Sequence, residues 1–155
     1  MHCRVGEPKH PTHSKNPRFY SHKFNQSGLL DYELGISVYH NALVWMNVPF
    51  PAGHQCLPRQ RPQRQDPCWK EAIGDNGYRG EDAIIGTPNA HDEAEVRKFK
   101  SRARSRHESF NARLKAFRCL DVRFRHGIEN HRIVFEAVCV ICQYQLENGS
   151  SLFDV

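Results

Sequence analysis

DEAEVRKFKSRARSRHESFNARLKAF, residues 92–117, is the stretch on which the fold class turns. Val96, Phe99, Ala103, Phe110, Leu114 and Phe117 follow the three-and-four spacing of a single helical face. Asp92 with Glu95 three residues on has the pattern of a helix N-terminus, in which a side-chain oxygen satisfies an orphan backbone N–H. One long amphipathic helix over about 92–117 is therefore predicted. Downstream, RCLDVRFRHG (118–127) reads as a connector with room for a short extended piece. Glu129 to Glu147, around IVFEAVCVICQYQL, predicts a second and more apolar helix, ended by Asn148 and Gly149.

Upstream the period changes from helical to alternating. YELGISV (32–38) and ALVWMNV (42–48) are β-branched and aromatic runs joined through His40 and Asn41, which predicts an antiparallel hairpin within Leu29–Val48. PFPAG (49–53) should close its second strand with a turn, because proline cannot donate a ladder hydrogen bond. HQCLPRQRPQRQDPCW (54–69) is polar, aperiodic and broken by proline, and supports neither strand nor helix. EAIGDNGYRG (71–80) and DAIIGTP (82–88) each predict a short strand, whereas residues 1–27, rich in His, Pro, Lys and Asn, read as an irregular arm. The expected architecture is α/β, with a strand-bearing first half and long C-terminal helices in a domain over 28–155.

The chain's 155 residues suit one domain with a modest core. Its net charge of +5 is compatible with a polyanionic partner, and the distribution is more telling than the total. From Arg97 to Arg125 only Glu108 and Asp121 oppose a run of cations that includes Arg97, Lys98, Lys100, Arg102, Arg104, Arg106, Arg113 and Lys115. Arg102, Arg104 and Arg106 spread around the helix and cannot all point into a core, so several must face solvent or phosphate. The plainer reading is a solvated arginine-rich face. With no apolar run near the ~20 residues of a bilayer span and no signal-peptide pattern, the expectation is a soluble intracellular or nuclear protein, its cysteines reduced.

Two carboxylates stand out. Asp75, in GDNGYRG, lies where a strand should stop, with Gly77 and Gly80 free to turn the backbone around it. It suits either a metal ligand or an ordinary Asx-turn. Glu108 lies one position off the apolar stripe beside His107 and within a turn of Arg104, where it could bind metal or make a surface ion pair. A carboxylate at a strand end and another on a long helix suit the clamping of divalent ions that activate water in phosphodiester cleavage. Cys139 and Cys142 sit within an apolar helical run and read as core thiols. A small zinc-binding or interaction module using Cys3, His10, His13 and His22 has spacings that match no finger.

In their order these pieces resemble the DDE superfamily endonuclease domain of Harbinger-like transposases, over most of the chain. YSHKFNQSGLLDYELGISVYHNALVWMNVPFPAG (20–53) is similar to that family's strand pair, and GDNGYRGEDAIIGTP (74–88) to its second Asp motif. RARSRHESFNARLKAF (102–117) is similar to its acidic helix, and HRIVFEAVCVICQYQLENGSSLFDV (131–155) to its closing helix. The resemblance implies an RNase H-like core, a divalent cation (Mg or Mn), DNA as partner, and cleavage with strand transfer. Asp75 and Glu108 would be the second and third carboxylates. The family's first Asp stands ahead of a Glu-Pro, which here is Glu7-Pro8, so the resemblance implies a core short of its first strand and a triad short of one carboxylate. A separate DNA-binding subunit or an oligomer would then complete the assembly. The alternative is a non-catalytic, transposase-derived nucleic-acid-binding protein.

Overall fold

A computed structural model describes residues 1–4, 19–20, 28–47, 49–52, 72–73, 85–87 and 89–155. Within them lie the strands β1 (His2–Arg4), β2 (Leu29–Asp31), β3 (Leu34–Ile36), β4 (Leu43–Met46), β5 (Phe50–Pro51), β6 (Ala72–Ile73) and β7 (Ile85–Gly86). Three helices follow: α1 (Ala94–Lys115), α2 (Arg118–Asp121) and α3 (Ile128–Glu147). The chain is mixed α/β, with small sheets in its first part and helices in its last. None of these helices is long and apolar enough to cross a membrane.

The predicted hairpin forms as the antiparallel pair β3–β4, with Leu34 opposite Met46 and Gly35 opposite Trp45. Its connection is longer than expected, closed by the Ser37 N–H on the Ala42 carbonyl at 2.9 Å. Leu29–Asp31 belongs instead to a separate antiparallel sheet, in the order β1-β2-β5. That sheet corrects two expectations. The arm contributes a strand at its start, where Cys3 is enclosed at 1% exposure, because a small apolar side chain in register with Leu30 joins the core. Phe50–Pro51 is likewise a strand rather than a turn. It pairs at the sheet edge, where a missing N–H costs nothing, and Ala52 then donates to the Leu29 carbonyl at 3.0 Å. β6 and β7 form a short parallel pair, Ala72 opposite Ile85. The aperiodic stretch 54–69 lies outside the described residues.

α1 starts two residues later and ends two earlier than the pattern suggested, and Asp92 does not cap it: Glu93 holds that position without a side-chain bond. Asp92 instead accepts from the Asn89 N–H at 2.9 Å and pairs with Lys100 at 3.2 Å, so its oxygens turn back toward the preceding loop. The Asn89 bond first, and Lys100 second, hold its carboxyl below the usual range. The connector coils into α2, with Phe124 beyond it donating its N–H to the Arg4 carbonyl at 3.0 Å. Gly127, at φ +83° and ψ 143°, turns the chain into α3 through a conformation that a Cβ disfavours. α3 ends at Asn148, as predicted.

The core lies where α1 and α3 meet the first sheet. Phe110 and Leu114 of α1 and Phe135, Cys142 and Leu146 of α3 are almost wholly enclosed, as is Leu120 of α2. Tyr32, just beyond β2, stacks on Phe135 with ring centroids 3.6 Å apart and planes 14° apart. Its hydroxyl meets His131 Nδ1 at 2.6 Å. His131 is fully enclosed, and burial lowers its pKa to about 4, so the imidazole is neutral. Donation from Tyr32 to Nδ1 puts the ring proton on Nε2, which has no hydrogen-bond partner and lies in a ring packed edge-on against Phe124 at 4.9 Å. The opposite arrangement would leave the tyrosine proton unmatched as well. Cys139 and Cys142 are core thiols as expected; burial pushes Cys139 up to about 12 and raises Cys142 too. Cys3 is likewise pushed up to about 12, by burial first of all. His10, His13 and His22 lie outside the described residues.

Candidate nucleic-acid interface

The basic residues of α1 divide into two groups with different chemistry. At 100° per residue, Arg102, Arg106 and Arg113 fall within about 40° of one line along the helix. All three donate to backbone carbonyls of the segment after α3. Arg113 reaches Ser150 and, at 3.0 Å, Ser151; Arg106 reaches Phe153; Arg102 reaches Asp154 at 2.5 Å. Arg102 also lies 5.9 Å over the Phe153 ring. Leu152, between these contacts, is anchored in the core, and its N–H donates to Asn41 Oδ1 at 3.0 Å. The three arginines thus clamp the chain's last residues along α1.

Arg106 goes furthest. It is 3% exposed, and its guanidinium also donates to the Ser37 carbonyl at 3.3 Å, the His40 carbonyl at 2.9 Å and Asn41 Oδ1 at 3.0 Å. This corrects the expectation that Arg106 contacts phosphate, since its fork is occupied by the hairpin loop and the C-terminal segment. Burial lowers its pKa from the ordinary guanidinium value, with Asp154 opposing that effect. Lys100 is also engaged, with Asp92 and with the Thr87 carbonyl at 3.3 Å. The sequence contains a signal for the Arg106 contact: the apolar stripe steps from Ala103 to Phe110, and the core-facing position between them, three residues on, is Arg106.

The other cations face outward. The side chains of Arg97, Lys98, Arg104 and Lys115 are exposed and make no hydrogen bond or ion pair with any described residue. Arg97, Arg104 and Lys115, seven and eleven residues apart, lie on one line about 160° around α1 from the carbonyl-binding arginines. The line is about 27 Å long at 1.5 Å per residue. Arg118, Arg123 and Arg125, also exposed, continue the positive charge beyond the helix.

Glu108 falls on this same outward line. It is not beside the apolar stripe, as the linear sequence suggested, but almost opposite Phe110 and Ala103, because two positions beyond the inward Arg106 is a rotation of about 200°. It is exposed and unpaired among the described residues. Asp75, its expected partner, lies outside the described residues, although β6, whose end precedes it, is within them. Among the described residues no three His, Cys, Asp or Glu side chains gather as a metal-binding group. The groups with the largest pKa shifts, Tyr32, His131 and the buried thiols, belong to the packed core, and Tyr32 also borders a small cavity with Met46, Asn47, Arg132 and Glu136. No family model, curated protein or solved structure matches the chain.

Proposed function

We propose that this chain is a DNA-binding domain of the DDE transposase class, with an incomplete RNase H-like core, that grips the phosphate backbone along the outward face of α1. The observation that carries the reading is the row of Arg97, Arg104 and Lys115, with Lys98 next to Arg97 in the chain, their side chains exposed and without partners among the described residues. Unpaired cations on one rigid line, about 27 Å long, match a duplex whose strands each carry a phosphate every ~3.4 Å. Such contacts position a duplex without reading its sequence.

The finer part of the proposal is metal-dependent phosphodiester cleavage and strand transfer, with Asp75 and Glu108 as the carboxylates that hold Mg²⁺ or Mn²⁺. Glu108 fits this role chemically: an exposed carboxylate with no cationic partner among the described residues offers its oxygens to a hard cation. A bound divalent ion would supply charge to activate water and to stabilise the leaving oxygen. The protein's own contribution is to fix the phosphate against α1 through Arg104, one turn from Glu108.

Binding of a labelled duplex measured across salt concentrations tests the first part. Replacing Arg97, Arg104 and Lys115 by Ala should reduce the slope of log K against log salt by about 0.9 per residue. An unchanged slope would refute the α1 interface. Nicking of supercoiled plasmid with Mn²⁺ tests the second part: activity abolished by both Asp75→Asn and Glu108→Gln supports cleavage. Binding that persists in both variants, with no nicking by the parent chain, supports the non-catalytic DNA-binding reading.

A further inference from the structure

Arg102, Arg106 and Arg113 have their hydrogen bonds filled and their charge unmet. Every acceptor they touch in the segment after α3 is a neutral backbone carbonyl, and among the described residues none of the three pairs with a carboxylate. A guanidinium bonds a charged oxygen roughly twice as strongly as a neutral one. The row therefore holds residues 150–155 by the weaker kind of bond.

The segment is lightly held in other respects. Ser150, Ser151, Phe153 and Asp154 are exposed, and Leu152 is its one buried side chain. Among the described residues its only backbone–backbone bond runs from the Ser150 N–H to the Gln145 carbonyl, at the end of α3 and away from α1. Gly149, at φ +100° with open space where a Cβ would stand, joins the segment to α3 at a residue that can change conformation without a side chain in the way. Lifting the segment at this glycine withdraws Leu152 and uncovers Arg102 and Arg113, whose bonds to it lie at the surface. Arg106 stays with Ser37, His40 and Asn41 of the hairpin loop.

We propose that residues 150–155 are a strap over a second phosphate-binding site, and that a nucleic-acid backbone displaces the strap from Arg102 and Arg113. The forks that receive carbonyl oxygens suit phosphate oxygens in the same geometry. The two arginines stand eleven residues apart on one line of α1, about 17 Å, or about five phosphate steps of one strand. While the strap is down, Asp154 adds a negative charge to this face and turns phosphate away. The ligand class rests on the duplex reading above; the position of the strap does not.

Duplex binding by a chain that lacks the outward row, through Arg97→Ala, Arg104→Ala and Lys115→Ala, reads this site alone. In that chain Leu152→Ser, which removes the anchor without adding charge, should steepen the slope of log K against log salt by about two. Adding Arg102→Ala and Arg113→Ala should cancel the gain. An unchanged slope with the helical circular dichroism intact overturns the masked site. Because Leu152 also belongs to the core, the unsubstituted chain supplies a second measurement. Its Leu152 amide, which donates to Asn41, should exchange with solvent at least tenfold faster in excess duplex at low salt, while the amides of α3 keep their rates. A Leu152 amide equally or better protected with duplex overturns the displacement. The parent's loss of slope on removal of the outward row tests the duplex reading separately. That loss can be absent while strap release still adds about two, and its presence without the gain sinks the strap alone.

Discussion

Replacing Arg106 by Met separates an arginine that builds the fold from one that binds a ligand. Methionine keeps most of the apolar stem that packs between Ala103 and Phe110 and removes only the guanidinium, with its four acceptors at Ser37, His40, Asn41 and Phe153. Bonds to a charged group contribute about 1.5–3 kcal/mol each in mutational series. His40 and Phe153 are exposed, so their carbonyls can turn to water, which leaves about two bonds to count. The expected destabilisation is thus about 3–6 kcal/mol for Arg106→Met, and about 1.5 more for Arg106→Ala, which also removes two buried methylenes. Against a native stability of about 5–15 kcal/mol, the Ala variant should approach loss of the fold. Urea unfolding followed by circular dichroism reads this as a lower midpoint at constant slope. Arg104→Met is the control: stability within about 0.5 kcal/mol of the parent, and weaker DNA binding. A loss below about 1 kcal/mol in Arg106→Met would refute the structural role assigned to its hydrogen bonds.

Glu108→Gln removes the one negative charge from the outward line of α1. At about 7 Å from a phosphate in water this is worth about 0.6 kcal/mol, so duplex affinity should rise two- to threefold at low salt without metal; with Mn²⁺, a metal-ligating Glu108 predicts a fall instead. His131 makes the fold acid-sensitive. Its imidazole titrates near 6.5 when unfolded but at about 4 when enclosed, so the unfolded chain holds the extra proton in between. The contribution is intact above pH 6.5 and disappears as pH falls toward 4, for a loss of about 3 kcal/mol that His131→Leu should remove from the stability–pH curve. Tyr32→Phe leaves Nδ1 of His131 without its donor and should cost about 1–3 kcal/mol in urea unfolding. Gly127→Ala places a Cβ on a backbone at φ +83° and should cost about 1–3 kcal/mol, with little change in the helical signal.

The helices were legible because their signal is local. A six-residue stripe placed α1 to within two residues at each end, and an apolar run closed by Asn148 and Gly149 did the same for α3. The strands were legible only as a set. Their pairing depends on partners far away in the chain: Cys3 lies opposite Leu30, and Leu30 lies opposite Pro51, a contact that no alternation within 1–27 or 49–53 announces. Asp92 failed as a cap because Lys100, two turns into the helix, and Asn89 compete for its oxygens, a tertiary outcome that the capping pattern does not contain. The candidate site was half legible. The charge density of 97–115 is plain in the linear sequence, but which cations are free depends on where the C-terminal segment lies, and only Arg106 betrays that by occupying a core-facing step of the stripe.

That division explains why one helix carries so many arginines. A lysine could supply the charge on the outward line, where the acceptor is a mobile anion and a point charge suffices. Inside, Arg106 spans the hairpin loop and the C-terminal segment at once, with Nε, Nη1 and Nη2 on different acceptors, which needs the planar five-donor fork. Among the described residues no carboxylate touches its charge, which is instead met by backbone carbonyl dipoles and Asn41. The inward row therefore orders the segment after α3, and with it Leu152, against α1, while the outward row remains unpaired for a partner. Arg106→Lys divides the two roles more finely than truncation does. It preserves the charge and loses the fork, so stability should fall by about 1–2 kcal/mol while the salt slope of duplex binding stays that of the parent. A slope reduced by about one would instead place Arg106 among the phosphate contacts and undo the separation of the two faces.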